Sequence, residues 1–254
     1  MAMLCFQESK YLSINWSEAD YSSYGWVLDK PEEQFYVEDN FNGDRLILSG
    51  PSNKLGLTAY QEKKVRDGWA KILPTLDSVE MLWVAPKVNQ KLFDAICKMP
   101  NLKGLSIKHS SIKNIDFKKL SNLVYFNLGS STQLSTLNGI EQLTNIKWLE
   151  FENIKSISDI EPLSSLTNLK ALCLNGSMWT TQKLDTLSPI KSLINLERLS
   201  LVNTRVIDKS LEPLHNLPNL KGVDLAEWWP DEQISALQQA NSRLLKNWKE
   251  WRDW

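Results

Sequence analysis

One apolar frame recurs along this chain and dictates what it can fold into. In the copy from Leu166 to Leu174 it reads Leu-Thr-Asn-Leu-Lys-Ala-Leu-Cys-Leu: an apolar residue, a spacer, an asparagine, then apolar residues at places 1, 4 and 6 of a short strand. Copies start at Met99, Leu120, Leu143, Leu166, Leu193 and Leu217, and carry Asn101, Asn122, Asn145, Asn168, Asn195 and Asn219. Position 1 is Leu102, Leu123, Ile146, Leu169, Leu196 and Leu220; position 4 is Leu105, Phe126, Leu149, Leu172, Leu199 and Val223; position 6 is Ile107, Leu128, Phe151, Leu174, Leu201 and Leu225. A degraded copy from Leu76 supplies Val79, Leu82 and Val84, so the steps between position-1 residues are 23, 21, 23, 23, 27 and 24. A frame at intervals of about 20 to 29 residues marks stacked units of one strand and one return, none of which buries its apolar side alone.

Seven parallel strands are expected, near 79–84, 102–107, 123–128, 146–151, 169–174, 196–201 and 220–225. Parallel strands need a return segment, here Asn89 to Lys98, Phe117 to Ser121, Gly139 to Leu143, Asp159 to Leu166, Ser188 to Leu193 and Lys209 to Leu217. These are short, so several are expected to be 3₁₀ turns and not full helices. Because strand side chains alternate, positions 3, 5 and 7 point away from the core. Among them, Trp83, Tyr125 and Trp148 are the residue types favoured in binding hot spots. Glu150 and Glu152 suit a partner with a basic patch and Arg198 could meet an acid, while Asn127, Asn175 and Asp224 complete the candidate face. The alternative, that terminal segments fold over these aromatics, stays open.

The run Ile157-Ser-Asp-Ile-Glu-Pro-Leu-Ser-Ser-Leu-Thr-Asn-Leu-Lys-Ala-Leu-Cys-Leu resembles the leucine-rich repeats of internalins and of short-repeat phosphatase regulators. The resemblance covers Leu76 to Glu227. It implies an α/β fold, a right-handed solenoid with a curved parallel sheet, whose concave face binds another protein. The family places Asn three residues after position 6, and this chain departs from that with Ser110, Ser131, Ser177 and Thr204, and with Ile154 beside Asn153. Hydroxyls make fewer bonds than an amide, so a less regular curve is expected. A catalytically empty repeat protein of this bacterial style is also similar in kind to immunity proteins that neutralise a toxin.

The ends depart from the repeat. Residues 1–75 are expected to form an N-terminal cap region with a helix near 58–73, residues 76–229 the repeats, and 230–254 a C-terminal capping helix, all as one continuous domain. Trp16, Tyr21, Tyr24 and Trp26 are assigned to packing on the first repeats, with a binding surface as the alternative. Phe41-Asn-Gly-Asp-Arg-Leu-Ile-Leu carries an Asn-Gly turn and a short strand, consistent with a hairpin or an edge strand. Thr58-Ala-Tyr-Gln opens a helix in a capping-box pattern, with Val65, Trp69 and Ile72 on one face and Pro74 as its stop. After Trp228-Trp229-Pro230-Asp231, one helical face gathers Ile234, Leu237, Leu244, Trp248 and Trp251, leaving Trp254 for exposure.

Charge and chemistry then narrow the function. Lys plus Arg total 29 against 30 acids, a net charge of -1, so no overall field draws the chain to nucleic acid or an anionic membrane. The start lacks the basic and apolar regions of a secretory leader. Cys5, Cys97 and Cys173 show no paired spacing, which fits a reducing, cytoplasmic setting. His109 and His215 are the only histidines, His215 is expected exposed on the convex side, and no phosphate loop, Cys-x-x-Cys or His-Glu-x-x-His motif occurs. No enzyme activity, metal or cofactor is expected. Three readings remain: a protein-binding module, of immunity type; a regulatory scaffold for a cytosolic enzyme; and a hydrolase in the N-terminal third near Asp20, Asp29, Glu38 or Asp44.

Overall fold

The structure is a computed structural model that describes residues 43–48, 58–226, 228–242 and 244. Among the described residues, eight strands form one all-parallel sheet: β1 (Arg45–Leu48), β2 (Met81–Val84), β3 (Gly104–Ile107), β4 (Tyr125–Gly129), β5 (Trp148–Glu152), β6 (Ala171–Asn175), β8 (Arg198–Leu201) and β10 (Gly222–Leu225), neighbours in that order. Seven coincide with the expected frames. The eighth, β1, pairs in parallel with β2, Arg45 opposite Met81, so among the described residues the segment after Gly43 is an edge strand of the main sheet.

Each strand starts at position 3 of its frame, two residues later than expected. The reason is a shared carbonyl: the backbone N–H groups of Lys103 and Gly104 both donate to Glu80 O, at 2.8 and 2.9 Å, and Val124 and Tyr125 both donate to Lys103 O. The chain bends there before the regular ladder begins. The position-1 residues Leu102, Leu123, Ile146, Leu169, Leu196 and Leu220 precede the strands yet are buried in the same core as positions 4 and 6. Burying each such side chain contributes about 1.5–3 kcal/mol. In β10, at one end of the described sheet, Val223 and Leu225 are only half-buried.

The returns follow the expected segments closely. The first is α2 (Gln90–Ile96), capped by Asn89, whose side-chain oxygen accepts from Leu92 N at 2.9 Å. The others are 3₁₀ turns at Phe117–Leu120, Ile140–Gln142, Glu161–Ser165, Ser188–Ser192 and Glu212–Leu214. Returns of three to five residues leave no room for full helices, and their Leu and Ile side chains close the core from the side opposite the sheet.

The asparagines before position 1 stitch the repeats together. Asn101 Nδ2 donates to Asp77 O (2.7 Å), Asn145 to Ser121 O (3.1 Å), Asn168 to Thr144 O (3.1 Å), Asn195 to Thr167 O (2.8 Å) and Asn219 to Ile194 O (2.9 Å). Every one of these acceptors lies one repeat back. On the strand-exit side the hydroxyl substitution works as a second ladder: Ser110 Oγ meets Ser131 Oγ at 2.6 Å, and Thr204 Oγ1 donates to Leu174 O. Just before that ladder Ser130, Asn153 and Asn203 all turn left-handed, with φ of 43, 55 and 51°. Each sits seven residues after its position 1, and Asn tolerates that conformation better than most residues.

The ends fold as follows. Helix α1 (Ala59–Ile72) stops where Pro74 enters a 3₁₀ turn, buries Trp69, and packs on α2 with Asp67 Oδ1 2.6 Å from Lys91 Nζ. Helix α3 (Asp231–Ala240) buries Leu237 and binds the last return through Gln233 Oε1, which accepts from Leu211 N at 3.0 Å. The expected single helix running on to Trp251 is corrected: α3 ends at Ala240, and Asn241 leaves the helix with φ -125° and ψ 87°. Its amide points at Leu217 O and Leu220 O, 3.4 Å from each, as a further rung of the asparagine ladder, so Leu244 reaches the core from outside the helix. Trp248, Trp251 and Trp254 lie outside the described residues, as do Trp16, Tyr21, Tyr24 and Trp26.

A feature absent from the expectations is a second, two-stranded parallel ladder, β7 (Gln182–Leu184) with β9 (Thr204–Val206). It occupies the strand-exit side of the longest repeat, whose 27-residue step supplies the extra chain.

Candidate protein-binding face

On the sheet face turned away from the returns, the register sets three rows. Met81, Gly104, Tyr125, Trp148, Ala171, Arg198 and Gly222 share the first; Trp83, Ser106, Asn127, Glu150, Cys173, Ser200 and Asp224 the second. Glu152 and Asn175 lie opposite each other in the third. The alternation that predicted this face therefore holds residue by residue.

Its centre is built by β4 and β5. Asn127 Nδ2 donates to Glu150 Oε2 at 2.6 Å, and the Tyr125 hydroxyl donates to Glu150 Oε1 at 3.4 Å. Burial, and then the neighbouring Glu150 carboxylate, push the Tyr125 hydroxyl well above its ordinary range, so it stays a proton donor at neutral pH. Tyr125 and Trp148 form an apolar cluster with Met81, Ala171 and Cys173. Gly104 makes that possible, because the Met81 side chain fills the space where a Cβ at 104 would sit and so reaches across to Tyr125.

These side chains are less open than a bare outward row suggests. Tyr125, Trp148 and Glu150 are 9, 6 and 8% exposed. Trp83, Asn127, Glu152, Arg198 and Asp224 are half-buried. Asn175 is 2% exposed and serves the sheet: its Oδ1 accepts from Val202 N at 2.8 Å and from Ser200 Oγ at 3.1 Å, beyond the point where regular pairing of β6 with β8 ends. Trp83 stands two strands from Asn127, about 10 Å at the usual strand spacing, with Ser106 between them.

At the strand-start edge, position-2 residues form a charged row. Glu197 lies 2.6 Å from Lys221 and 3.5 Å from Lys170, and Glu80 lies 2.6 Å from Lys103. Burial raises the Glu197 carboxyl, but the two lysines outweigh it and hold its pKa below the ordinary 4.5.

His215 is half-buried, with Nε2 enclosed and lacking a hydrogen-bond partner, which corrects the expected exposed position. Cys97 and Cys173 are buried and not joined in a disulfide, Cys173 Sγ accepts from Asn175 Nδ2 at 2.8 Å, and burial together with Asp94 pushes the Cys97 thiol up to about 12. Among the described residues no cluster of three His, Cys, Asp or Glu could hold a metal, and no helix is long and apolar enough to cross a membrane. Of the acids considered for a hydrolase, Asp44 is exposed; Asp20, Asp29 and Glu38 lie outside the described residues.

Sequence reasoning missed the most exposed aromatic on the described surface. Trp179, 89% exposed, stands beside Met178 in the loop between β6 and β7. Nothing in the repeat frame singled it out, because it lies in the segment where the longest repeat departs from that frame.

No family model and no curated protein matches the chain. Among solved structures, an internalin (InlF) from Listeria monocytogenes is similar with a TM-score of 0.56 at 17% identity, covering 80% of this chain and 59% of that one. The present chain thus spans about three fifths of that internalin. An internalin C2 from the same organism, at 17% identity and a TM-score of 0.36, covers 61% of this chain and 73% of that one. At this level of identity the likeness to InlF speaks for architecture, and with the parallel sheet and its stacked returns it makes this chain an internalin-like leucine-rich repeat fold.

Proposed function

We propose that the chain is a protein-binding module whose partner sits on the sheet face carrying Trp83, Tyr125, Asn127, Trp148, Glu150, Glu152, Arg198 and Asp224. The observation that carries this is the Tyr125–Glu150–Asn127 arrangement with Trp148 alongside. Polar and aromatic groups occupy outward positions that the 1, 4, 6 core frame does not require. Glu150 and Glu152 give the β5 part of the face a negative character suited to a Lys- or Arg-bearing partner, and Arg198 suits an acid on the same partner.

Within this proposal the chain works in the cytoplasm, without a nucleic-acid or membrane ligand and without catalysis of its own, as an immunity-type protein that occupies a toxin. Affinity capture from the native host, followed by mass spectrometry, tests it. A toxin among the captured proteins, bound through the sheet face, supports the reading, whereas a housekeeping enzyme moves the function to a regulatory scaffold. A partner whose affinity is unchanged by Glu152→Lys and Arg198→Glu overturns the proposed face.

A further inference from the structure

Three of the large apolar side chains that stand exposed among the described residues, Met178, Trp179 and Ile207, belong to one small unit: the β6–β7 loop and the β7–β9 ladder behind it. They are 74, 89 and 62% exposed. Isolated exposed apolar residues are ordinary, whereas a group of them rimmed by charge marks an interaction site. Here the charge is specific. Lys183 and Arg205 lie directly opposite each other in the ladder, both exposed, and neither makes an ion pair among the described residues. Like charges in register oppose strand pairing, so this pair does nothing for the fold.

The loop is held in place before any partner arrives. Ser177 Oγ accepts from Trp179 N at 3.3 Å and from Thr180 N at 3.0 Å, while Ser177 N donates to Thr180 O at 2.9 Å. Asn203 Nδ2 donates to Ser177 O, and Thr181 Oγ1 donates to Asn203 Oδ1 at 2.9 Å, which ties the loop to the start of β9. A Cβ on Gly176 would collide with the carbonyls of Asn203 and Thr180, so the loop closes on itself. An aromatic on a fixed loop loses little freedom on binding. Lys183 lies four positions after Trp179, a reach of at most about 14 Å, so the apolar anchor and both cations fit inside one interface of ordinary size.

We infer that this strand-exit rim is a docking surface for an acidic protein segment: Trp179 and Met178 seat its apolar side chains, and Lys183 with Arg205 takes a carboxylate. A polyanion is a poorer fit. Nucleic acids and anionic bilayers are held by stripes or clusters of several cations, and Asp185 and Asp208, both exposed, interrupt any stripe here. The site goes beyond the sheet face proposed above, with the opposite charge preference, and either can fail without the other.

The test pans a random-sequence peptide library, displayed on phage, against the immobilised full chain, with the Trp179→Ala chain as counter-target. Trp179 is solvated, so this variant keeps the parental melting temperature. Recovered peptides should carry Asp or Glu next to an apolar anchor. Each should bind roughly tenfold or more weakly to Trp179→Ala, as a hot-spot truncation does, and similarly to Lys183→Glu/Arg205→Glu, while Glu152→Lys leaves it unchanged. Recovered peptides without acidic enrichment, or equal affinity for all chains, overturn the inference. So would Trp179-dependent binding of a single-stranded RNA oligonucleotide or of phosphatidylserine vesicles, and so would Trp179-dependent self-association in sedimentation velocity.

Discussion

The hydroxyls of Ser110 and Ser131 lie 2.6 Å apart across neighbouring repeats, with both residues buried. Ser131 Oγ also donates to Gly129 O at 3.2 Å, and Ser110 Oγ accepts from Ile112 N at 3.4 Å. The pair does, with two short side chains, what an amide ladder does with longer ones. Removing one hydroxyl leaves the other short of a partner, which costs about 1–3 kcal/mol for a buried polar group, whereas removing both is milder than the sum. Ser110→Ala, Ser131→Ala and the double variant, compared by urea denaturation, should show a coupling of about 0.5 kcal/mol or more. Strict additivity would mean that the hydroxyl pair is not a unit.

Leu172 is fully buried in β6, opposite Leu149 on one side and Leu199 on the other. Leu172→Ala should cost about 2–5 kcal/mol, as transfer and cavity terms add. The denaturation midpoint should drop with an unchanged slope; an unmoved midpoint would place this frame outside the common core.

Glu197 holds Lys170 and Lys221 across three adjacent repeats. Its folded pKa is depressed below 4.5, so its stabilisation is present above the unfolded value and is lost as pH falls through the folded one. The pairs are partly solvated, and Glu197→Gln should cost only about 0.5–1 kcal/mol at neutral pH. That difference from the parent should shrink in acid, as pH falls through the unfolded and then the folded pKa. A difference that persists in acid would trace the loss to packing.

Truncation after Pro230 removes α3 with its buried Leu237, the Gln233 bond to Leu211 and the Asn241 rung. The last repeat, already the least covered in β10, then exposes Leu211, Leu214 and Leu217. Hydrogen exchange should show fraying from β10 inward, as repeat arrays unravel from unprotected ends. Parental melting and a monomeric state in the truncated chain would make α3 an appendage.

On the sheet face, Trp148→Ala and Glu152→Lys should separate two effects. Trp148 packs in the Tyr125 cluster, so its truncation should lower stability by about 3 kcal/mol as well as weaken partner binding by about 2 kcal/mol or more. Glu152 is half-buried with its charge on the rim; its reversal should leave the melting temperature alone and slow association with a basic partner, more so at low salt. Titration of the captured partner at two salt concentrations measures both, and a Glu152→Lys chain with parental kinetics would detach β5 from the interface.

Repeat positions, strand direction and core membership were legible in the sequence because they follow from local periodicity: alternation sends Leu149 inward and Glu150 outward in any chain with this frame. The returns were legible for the same reason, since segments as short as Phe117–Leu120 and Ile140–Gln142 allow only a tight turn. Three things waited for the tertiary structure. The burial of Tyr125 and Trp148 depends on what neighbouring side chains, such as Met81 over Gly104, do across strands. The end of α3 at Ala240 depends on Asn241 finding carbonyls of a repeat some twenty residues earlier. The β7–β9 ladder, and with it the exposed Trp179, arises only when two segments 22 residues apart, Gln182 and Thr204, are stacked side by side, a pairing between repeats that no pattern within either one encodes.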